Sequence, residues 1–399
     1  MLDKIKNFFN GSDLDIRKSN YSRFIDQKVT PDVLCFIADC VDNLVTSQTG
    51  KEFTTREIWD SMYFKKNVEI FFKKPSADNK NASNEYDKFI NQPLRMLNYA
   101  GVLESEKRGA GYIYKVKDLE MLKYIALKER NAANFLYEYI LKVLSDSDML
   151  RHFEEYENLY RQKKLTSAGL KDLKGKFQKF MFGNTEINKP LEVNRIFPKV
   201  LNLFANYRDL PGTVRGNLSK DFIAFYDLMY NDVNFRDLGK QKSMTRQEAN
   251  DLDRLIAKQE DHNVYQISKA MRIIKEKYSV SEVNDRWGVG SADHVHHIFP
   301  RAQFPQLAVY LENLIKLTAS QHLSKAHPSG STAVVDRDYQ LVCLISKSNS
   351  IEKSLAMNEF IYSRENFIFV ANSGLSLSLP ESLDFQQIRL KLNDVYKNS

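Results

Sequence analysis

The stretch that decides the nature of this chain is DHVHHIFPR (residues 293–301), followed by LENLIKL (311–317) and QHLSKAHP (321–328). Five of the seven histidines of the chain lie between His294 and His327. Histidines scattered through a core would not cluster in this way, so the segment needs a chemical reason. The first stretch is typical of a β-strand that ends in adjacent histidines. The second predicts another strand, and the third predicts a helix that Thr318 or Ser320 caps and Pro328 ends.

This order and spacing resemble the HNH, or ββα-metal, nuclease motif. The residues that carry the resemblance are His296-His297-Ile298-Phe299-Pro300, Asn313-Leu314 at the second strand, and His322, nine residues after that asparagine. The resemblance implies that His296 and His322 hold a divalent cation and that His297 is the general base. It also implies that Asn313 braces the loop and orients the base, and that the products carry 5′-phosphate and 3′-hydroxyl ends.

These residue types suit phosphodiester hydrolysis. A neutral imidazole, with an ordinary pKa of about 6.5, can accept a proton from water near neutral pH. A cation can stabilise the charge that builds on the phosphate and the leaving oxygen. We expect Mg²⁺ or Mn²⁺, with Zn²⁺ or Ni²⁺ as alternatives. Imidazoles suit Mn²⁺, Ni²⁺ and Zn²⁺, whereas Mg²⁺ prefers oxygens and would need water and DNA oxygens to complete its shell. The chain has three cysteines and no Cys-x-x-Cys pair, so the scaffold must rest on packing and not on a structural zinc.

Three positions around the motif stay open. His327 lies five residues after His322, which on α-helix geometry rotates it roughly 140° away. It is a candidate third ligand or phosphate contact, and Arg301 is a candidate phosphate clamp. The pair Asp293-His294 is an alternative to His296-His297, but Pro300 is in register with the second pair.

Residues 1–118 predict a winged-helix-like DNA-recognition domain. Thr30-Pro31 begins one helix, and Thr54 or Thr55 begins a second with Ile58 and Met62 on one face. Asn84 begins a third helix, which Pro93 should kink or restart. Two strands follow, over residues 102–106 and 112–116, with a basic turn between them. Candidate DNA contacts are Lys88, Asn91, Gln92 and Arg95 on the third helix and Lys107 and Arg108 at the turn. The alternative is a winged helix that binds protein.

The remaining chain is assigned to a helical linker or DNA-contacting region (residues 119–285) and an HNH nuclease domain with a C-terminal extension (286–399). The helical region carries seven basic residues and one acid between Arg161 and Lys179, and a capping box at Thr245–Glu248. In the extension we predict strands over residues 341–345 and 367–371, and helices over 351–363 and 383–396. The expected fold class is therefore α+β, mostly helical.

Composition narrows the class of protein further. The 399 residues are 43% hydrophobic and 27% charged, and the net charge is +7. No apolar run approaches the roughly 20 residues that cross a bilayer. A basic balance permits a polyanionic partner without requiring one. We therefore expect a cytoplasmic protein with reduced thiols and no membrane partner.

Residues 165–345 also resemble type II restriction endonucleases of the HNH class. The residues that carry this wider resemblance are Asn184-Thr185, Arg195-Ile196-Phe197, Asn202, the run 230–237 and the motif from Glu312 to Pro328. It implies sequence-specific cleavage of double-stranded DNA, a separately encoded methyltransferase, and a candidate homodimer. The alternatives are a modification-dependent enzyme, a nicking or homing enzyme, and a non-catalytic DNA-binding regulator with a structural metal site.

Overall fold

The computed structural model describes residues 2–45, 51–72, 74–109, 111–230, 252–327 and 335–397. The protein is α+β and mostly helical, which confirms the predicted fold class at that level. The chain divides into two units, Met1–Ala249 and Asn250–Ser399. The finer boundaries at 118/119 and 285/286 stay predictions. The predicted capping box at Thr245–Glu248 lies outside the described residues. None of the helices in the described ranges has the length and apolarity that crossing a bilayer requires.

The first unit is a helical array with two small sheets. Its helices are α1 (Leu2–Phe8), α2 (Ile16–Ser19), α3 (Pro31–Val45), α4 (Thr55–Asp60), α5 (Met62–Phe72), α6 (Ser83–Tyr99), α7 (Leu119–Leu127), α8 (Glu129–Asp146), α9 (Leu150–Arg161), α10 (Ser167–Asn184) and α11 (Pro190–Arg208). Its strands are β1 (Phe53–Thr54), β2 (Leu103–Arg108), β3 (Gly111–Val116), β4 (Pro211–Val214) and β5 (Asn217–Phe222). The antiparallel order β1-β3-β2 forms one sheet, and β4-β5 forms the other.

Local capping explains where the second predicted helix begins and why it is split. The Thr54 hydroxyl accepts the backbone N–H of Glu57, whose side chain accepts the N–H of Thr54, and this capping box begins α4. Ser61 is extended, and its hydroxyl accepts the N–H of Phe64, so a new helix begins there. Ile58 is buried whereas Met62 is 84% exposed. The prediction that they share one helix face is therefore wrong, because the helix breaks between them.

The third predicted helix and the hairpin after it are confirmed as α6 and β2-β3. Pro93 lies inside α6, and the helix continues through it, so the predicted restart does not occur. The buried face of α6 packs Phe89 against Phe36 of α3 and Phe72 of α5. In the hairpin, Leu103 pairs with Val116, and the paired strands extend to Arg108 and Gly111. The predicted order of helices and hairpin is present, while its assignment as a winged-helix DNA reader stays a prediction.

The second unit surrounds one short antiparallel hairpin. Its elements are α12 (Leu252–Lys277), β6 (His294–His297), β7 (Leu314–Leu317), a π-helical segment (Gln321–Ala326), α13 (Arg337–Ala356), α14 (Arg364–Leu375) and α15 (Phe385–Lys397). The strands predicted at 341–345 and 367–371 are wrong, since these residues lie in α13 and α14. Short apolar runs fit a buried helix face as well as a strand. The helix predicted over 383–396 is confirmed, and the one predicted over 351–363 is helical only as far as Ala356.

A buried ion pair, Lys347–Glu282, contacts the backbone of β7. Lys347 of α13 and Glu282 have fully buried side chains, and their charged atoms are 2.9 Å apart. Glu282 also accepts the backbone N–H of Lys316 on β7, and the Lys347 ammonium donates to the Tyr362 hydroxyl. Each charged group is also held by hydrogen bonds, which offset part of the cost of burying the pair away from water. The hairpin therefore rests on a rigid polar support.

Candidate metal centre

The paired strands β6 and β7 bring the histidines of the first strand to the middle of the second unit. His296 is opposite Ile315 and His297 is opposite Leu314, and the backbone N–H of Ile298 donates to the carbonyl of Asn313 beyond the last pair. Only 2% of His296 is exposed. The predicted strand, loop and strand of the motif are thus present at the predicted residues.

The helical segment after β7 has π and not α geometry, and this changes the position of His327. The backbone N–H of His327 donates to the carbonyl of His322 at 3.1 Å, five residues earlier. Residues that are five apart lie on the same side of a π-helix. Such π-helical turns are frequent at functional sites. The expectation that His327 is rotated roughly 140° away is therefore wrong, because it assumed α-helix geometry.

His296, His322 and His327 converge on one point. One ring nitrogen from each lies within 4.8 Å of those of the other two, so the three can hold a metal ion. The ring centroids are 5.3 Å apart for His296 and His322, 4.9 Å for His296 and His327, and 5.0 Å for His322 and His327. Nε2 of His296 and Nδ1 of His322 are buried without a hydrogen-bond partner. Buried polar atoms normally have partners, so these two nitrogens indicate a ligand at this point.

The electrostatics of the cluster favour neutral imidazoles. Burial lowers the pKa of His296 well below its usual value, and the neighbouring His327, His322 and His297 lower it further. Burial, together with His327 and His294, lowers the pKa of His322 to about 4. Both rings are therefore uncharged at neutral pH, which is the form that binds a metal. These two neutral rings would accept a cation without adding to its charge.

His297 lies beside the cluster, and one of its ring nitrogens is held by the backbone. It lines a cavity of about 470 Å³ together with the three clustered histidines and Arg301. Its Nε2 is 3.1 Å from the carbonyl oxygen of Ala308, which can only accept, so Nε2 carries the proton. The unprotonated nitrogen of the neutral ring is then Nδ1. Burial lowers the pKa of His297, whereas the Ala308 carbonyl opposes this shift.

Asn313 braces the loop that holds His297. Its side chain is fully buried, and its Oδ1 accepts the backbone N–H of Phe299 at 2.9 Å. Its Nδ2 donates to the carbonyls of Phe299 and Leu307. Leu307 directly precedes Ala308, so Asn313 holds the segment whose Ala308 carbonyl contacts His297. These contacts match the bracing position that the resemblance implies.

The alternative pair behaves differently. His294 stacks on His322 with ring centroids 4.9 Å apart, and Asp293 accepts a hydrogen bond from Ser291. Within the described ranges, neither belongs to the group of residues that could share an ion. Arg301 is exposed at the cavity, where a phosphate could reach it.

Sequence reasoning missed the residue that anchors the π-helix, Gln321. Its side chain is fully buried and makes four hydrogen bonds, to Ser281, Val283, Asp285 and the backbone N–H of Thr318. The Thr318 hydroxyl in turn accepts the N–H of Gln321. Thr318-x-x-Gln321 is thus a capping box, and its Thr/Gln spacing is a sequence signal that could have identified it.

Five of the six candidate DNA contacts line a second feature, a cleft of about 830 Å³ in the first unit. These five are Lys88, Asn91, Gln92 and Arg95 of α6 and Arg108 of the hairpin. Lys107 is exposed on β2 and does not line the cleft.

Most of these side chains already have partners within the first unit. Asn91 accepts from Thr55 and donates to Asp87, and Gln92 accepts the backbone N–H of Lys28. The Arg95 guanidinium lies 4.1 Å from the centre of the Tyr112 ring. Arg108 pairs with Glu106 and Glu52.

Comparisons with protein-family models, with curated proteins and with solved structures find no match to this chain.

Proposed function

We propose that this chain is a metal-dependent DNA endonuclease that hydrolyses phosphodiesters by an HNH-type mechanism. The observation that carries the proposal is the convergence of three imidazoles, two of them with orphaned buried nitrogens, on a cavity that also holds an oriented fourth. A metal site with a purely structural role would not require His297 beside it with a free ring nitrogen. An open cavity leaves room for water and a phosphate next to the ion.

The donor set indicates which metals the site would favour. Three imidazole ligands suit Zn²⁺, Mn²⁺ or Ni²⁺, whereas Mg²⁺ prefers oxygen ligands and keeps its water. His327 as a third ligand therefore moves the preference away from Mg²⁺, although Mg²⁺ could bind with water and DNA oxygens completing its shell. A bound cation would supply stabilisation of the negative charge that develops on the phosphate and on the leaving 3′-oxygen.

The side chains around the ion divide the remaining work. His297 Nδ1 takes a proton from the attacking water while its Nε2–H stays bonded to Ala308. The resulting hydroxide oxygen bonds to phosphorus as the bond to the 3′-oxygen breaks, and the 3′-oxygen takes up a proton from solvent, which leaves a 5′-phosphate and a 3′-hydroxyl. Asn313 positions the base through the loop, and Arg301 binds a phosphate oxygen at the cavity edge.

In its more specific form, the proposal is a type II restriction endonuclease that acts on double-stranded DNA in the cytoplasm, alongside a separately encoded methyltransferase. The cleft along α6 and the hairpin supports a winged-helix reading module in the first unit. A homodimer would allow both strands to be cut. A methyl-sensing enzyme, a nicking or homing enzyme and a non-catalytic regulator are the competing functions.

Plasmid digestion tests the proposal directly. We expect discrete fragments from wild type with Mn²⁺ or Mg²⁺, and near-complete loss of cutting in His297→Ala with metal binding and DNA binding retained. His322→Ala should lose both metal and cutting. His152→Ala, which alters a histidine of the first unit, is the matched control and should cut normally.

The form of the products separates the competing functions. Cleavage of methylated plasmid alone would indicate a modification-dependent enzyme, and open circles alone would indicate a nicking enzyme. DNA binding without any cleavage, in every metal and with either plasmid, would exclude the endonuclease and favour the regulator.

A further inference from the structure

The cleft of the first unit is lined by more positive charge than the candidate DNA contacts account for. Six cationic side chains line it: Arg23, Arg56, Lys88, Arg95, Arg108 and Arg195. Three carboxylates share the lining: Asp26, Asp87 and Glu192. Six positive charges against three negative charges leave the lining at +3. A concave surface with an excess of positive charge favours an anionic ligand.

Four of the six cations are held by neighbouring groups. Arg23 pairs with Asp26, Arg56 with Asp60, Arg108 with Glu106, and Arg95 lies over the ring of Tyr112. The other two, Lys88 and Arg195, are exposed and make no hydrogen bond or ion pair with any residue in the described ranges. These two side chains are therefore the ones that a ligand could engage without breaking an existing contact.

The two available cations lie on different helices. Lys88 is on the exposed side of α6, the candidate recognition helix. Arg195 is in the second turn of α11, which sequence reasoning assigned to the helical region after the winged-helix domain. Glu192 lies one turn earlier on α11 and is the carboxylate nearest in sequence to Arg195. The cleft therefore has a second wall, which comes from outside residues 1–118.

We propose that α11 is a second DNA-contact element and that Arg195 binds a backbone phosphate of duplex DNA lying in this cleft. The inference rests on the proposed function for its ligand, but it concerns a different unit and different residues. Because the two available cations stand on different helices of a cleft of about 830 Å³, they match phosphates spaced along a duplex better than a single small anion. Phosphate contacts set the position of a protein on DNA while base contacts provide specificity, so Arg195 would help to orient α6.

The test measures DNA binding by the full-length His297→Ala protein, with chelator present so that nothing is cut. A short fluorescent duplex of mixed sequence is titrated at several salt concentrations, and its anisotropy is recorded. We expect Arg195→Ala to lower the salt dependence of log K by about 0.9 and to weaken binding roughly fivefold to tenfold near 0.1 M salt, as for one lost phosphate contact. Lys88→Ala should have a similar effect.

Two further variants separate charge from structure. Arg195→Lys retains the positive charge and should keep most of the salt dependence. Arg151→Ala removes an exposed arginine of the same unit that does not line the cleft, and it should bind as the parent does. Because Arg195 is exposed, its removal should leave the melting temperature unchanged.

An Arg195→Ala protein with unchanged affinity and unchanged salt dependence would overturn the proposal. Displacement of the duplex by adenosine monophosphate or inorganic phosphate at equal phosphate concentration would also overturn it, since the cleft would then be a small-anion site. Failure of the parent protein to bind any duplex would have the same result. Intact binding that depends on Arg195, in a wild-type protein that never cuts DNA, would instead refute the endonuclease and leave the cleft assignment standing.

Discussion

Replacing Gln321 with methionine tests whether the anchor of the π-helix holds the metal cluster together. Methionine fills a similar volume without donors or acceptors, so the change removes four buried hydrogen bonds with little change in packing. Ser281 keeps its bond to the Val283 carbonyl, and Asp285 keeps its bond from Trp287.

The backbone N–H of Thr318 has no such substitute. Within the part of the chain that the structure describes, its one acceptor is the Gln321 side chain, so the variant leaves this N–H buried and unpaired. Three modest bonds of about 1 kcal/mol each and one orphaned donor of about 1–3 kcal/mol amount to a loss of about 4–6 kcal/mol in the free energy of unfolding. His322 follows Gln321 directly, so the loosened segment should also weaken metal binding by roughly tenfold or more, as when groups that orient metal ligands are removed.

Two measurements on the same protein check this prediction. Denaturant unfolding without metal gives the stability of the second unit, and titration with Co²⁺, followed by its visible absorption, gives the affinity. Gln386→Met, an exposed glutamine on α15 of the same unit, is the matched control and should change neither quantity. Unchanged Co²⁺ affinity in Gln321→Met would refute the claim that this residue positions the cluster, even if stability fell.

Three further results are expected. Lys347→Met should cost about 3–5 kcal/mol of unfolding free energy because it leaves Glu282 buried and unpaired. Adding Glu282→Gln should recover part of that loss, and a fully additive double variant in denaturant melts would contradict the pairing. The metal-free protein should lose stability as pH falls from about 6.5 towards 4. The pKa values of His322 and His296 are lowered by folding, so the unfolded chain binds protons first over this range. Above about pH 6.5 the stabilisation from these neutral histidines is complete. In His322→Asn, the unfolding free energy should depend less on pH across that range. A pH dependence equal to that of the wild type would contradict this prediction. Asn313→Ala should reduce kcat by roughly tenfold while Co²⁺ still binds, and lost Co²⁺ binding would instead indicate that it holds the ion.

The sequence alone was sufficient for the features that depend on local spacing. The strand bearing His296 and His297, and the strand that begins just after Asn313, follow from alternation and turn residues, and both are present. The helix α6 and its hairpin were likewise predictable. The helix α6 and the β2-β3 hairpin are formed by hydrogen bonds between residues near one another in the chain, so a short window of sequence contains the relevant information, whereas β6 and β7 pair across a longer loop whose ends the motif spacing identifies.

The tertiary structure decided which residues from distant parts of the chain lie in contact. Residues 341–345 look like a strand, but in the fold they lie in α13 with Cys343 and Leu344 buried and Val342 exposed, because packing and not local preference selects between the two for a short apolar run. His327 joins the metal cluster only because its segment adopts π geometry, held by the long-range contacts of Gln321. Arg195 meets the candidate recognition helix through folding of the whole first unit. The spacing of residues along the chain does not predict such contacts, since they depend on how the surfaces of distant segments pack together.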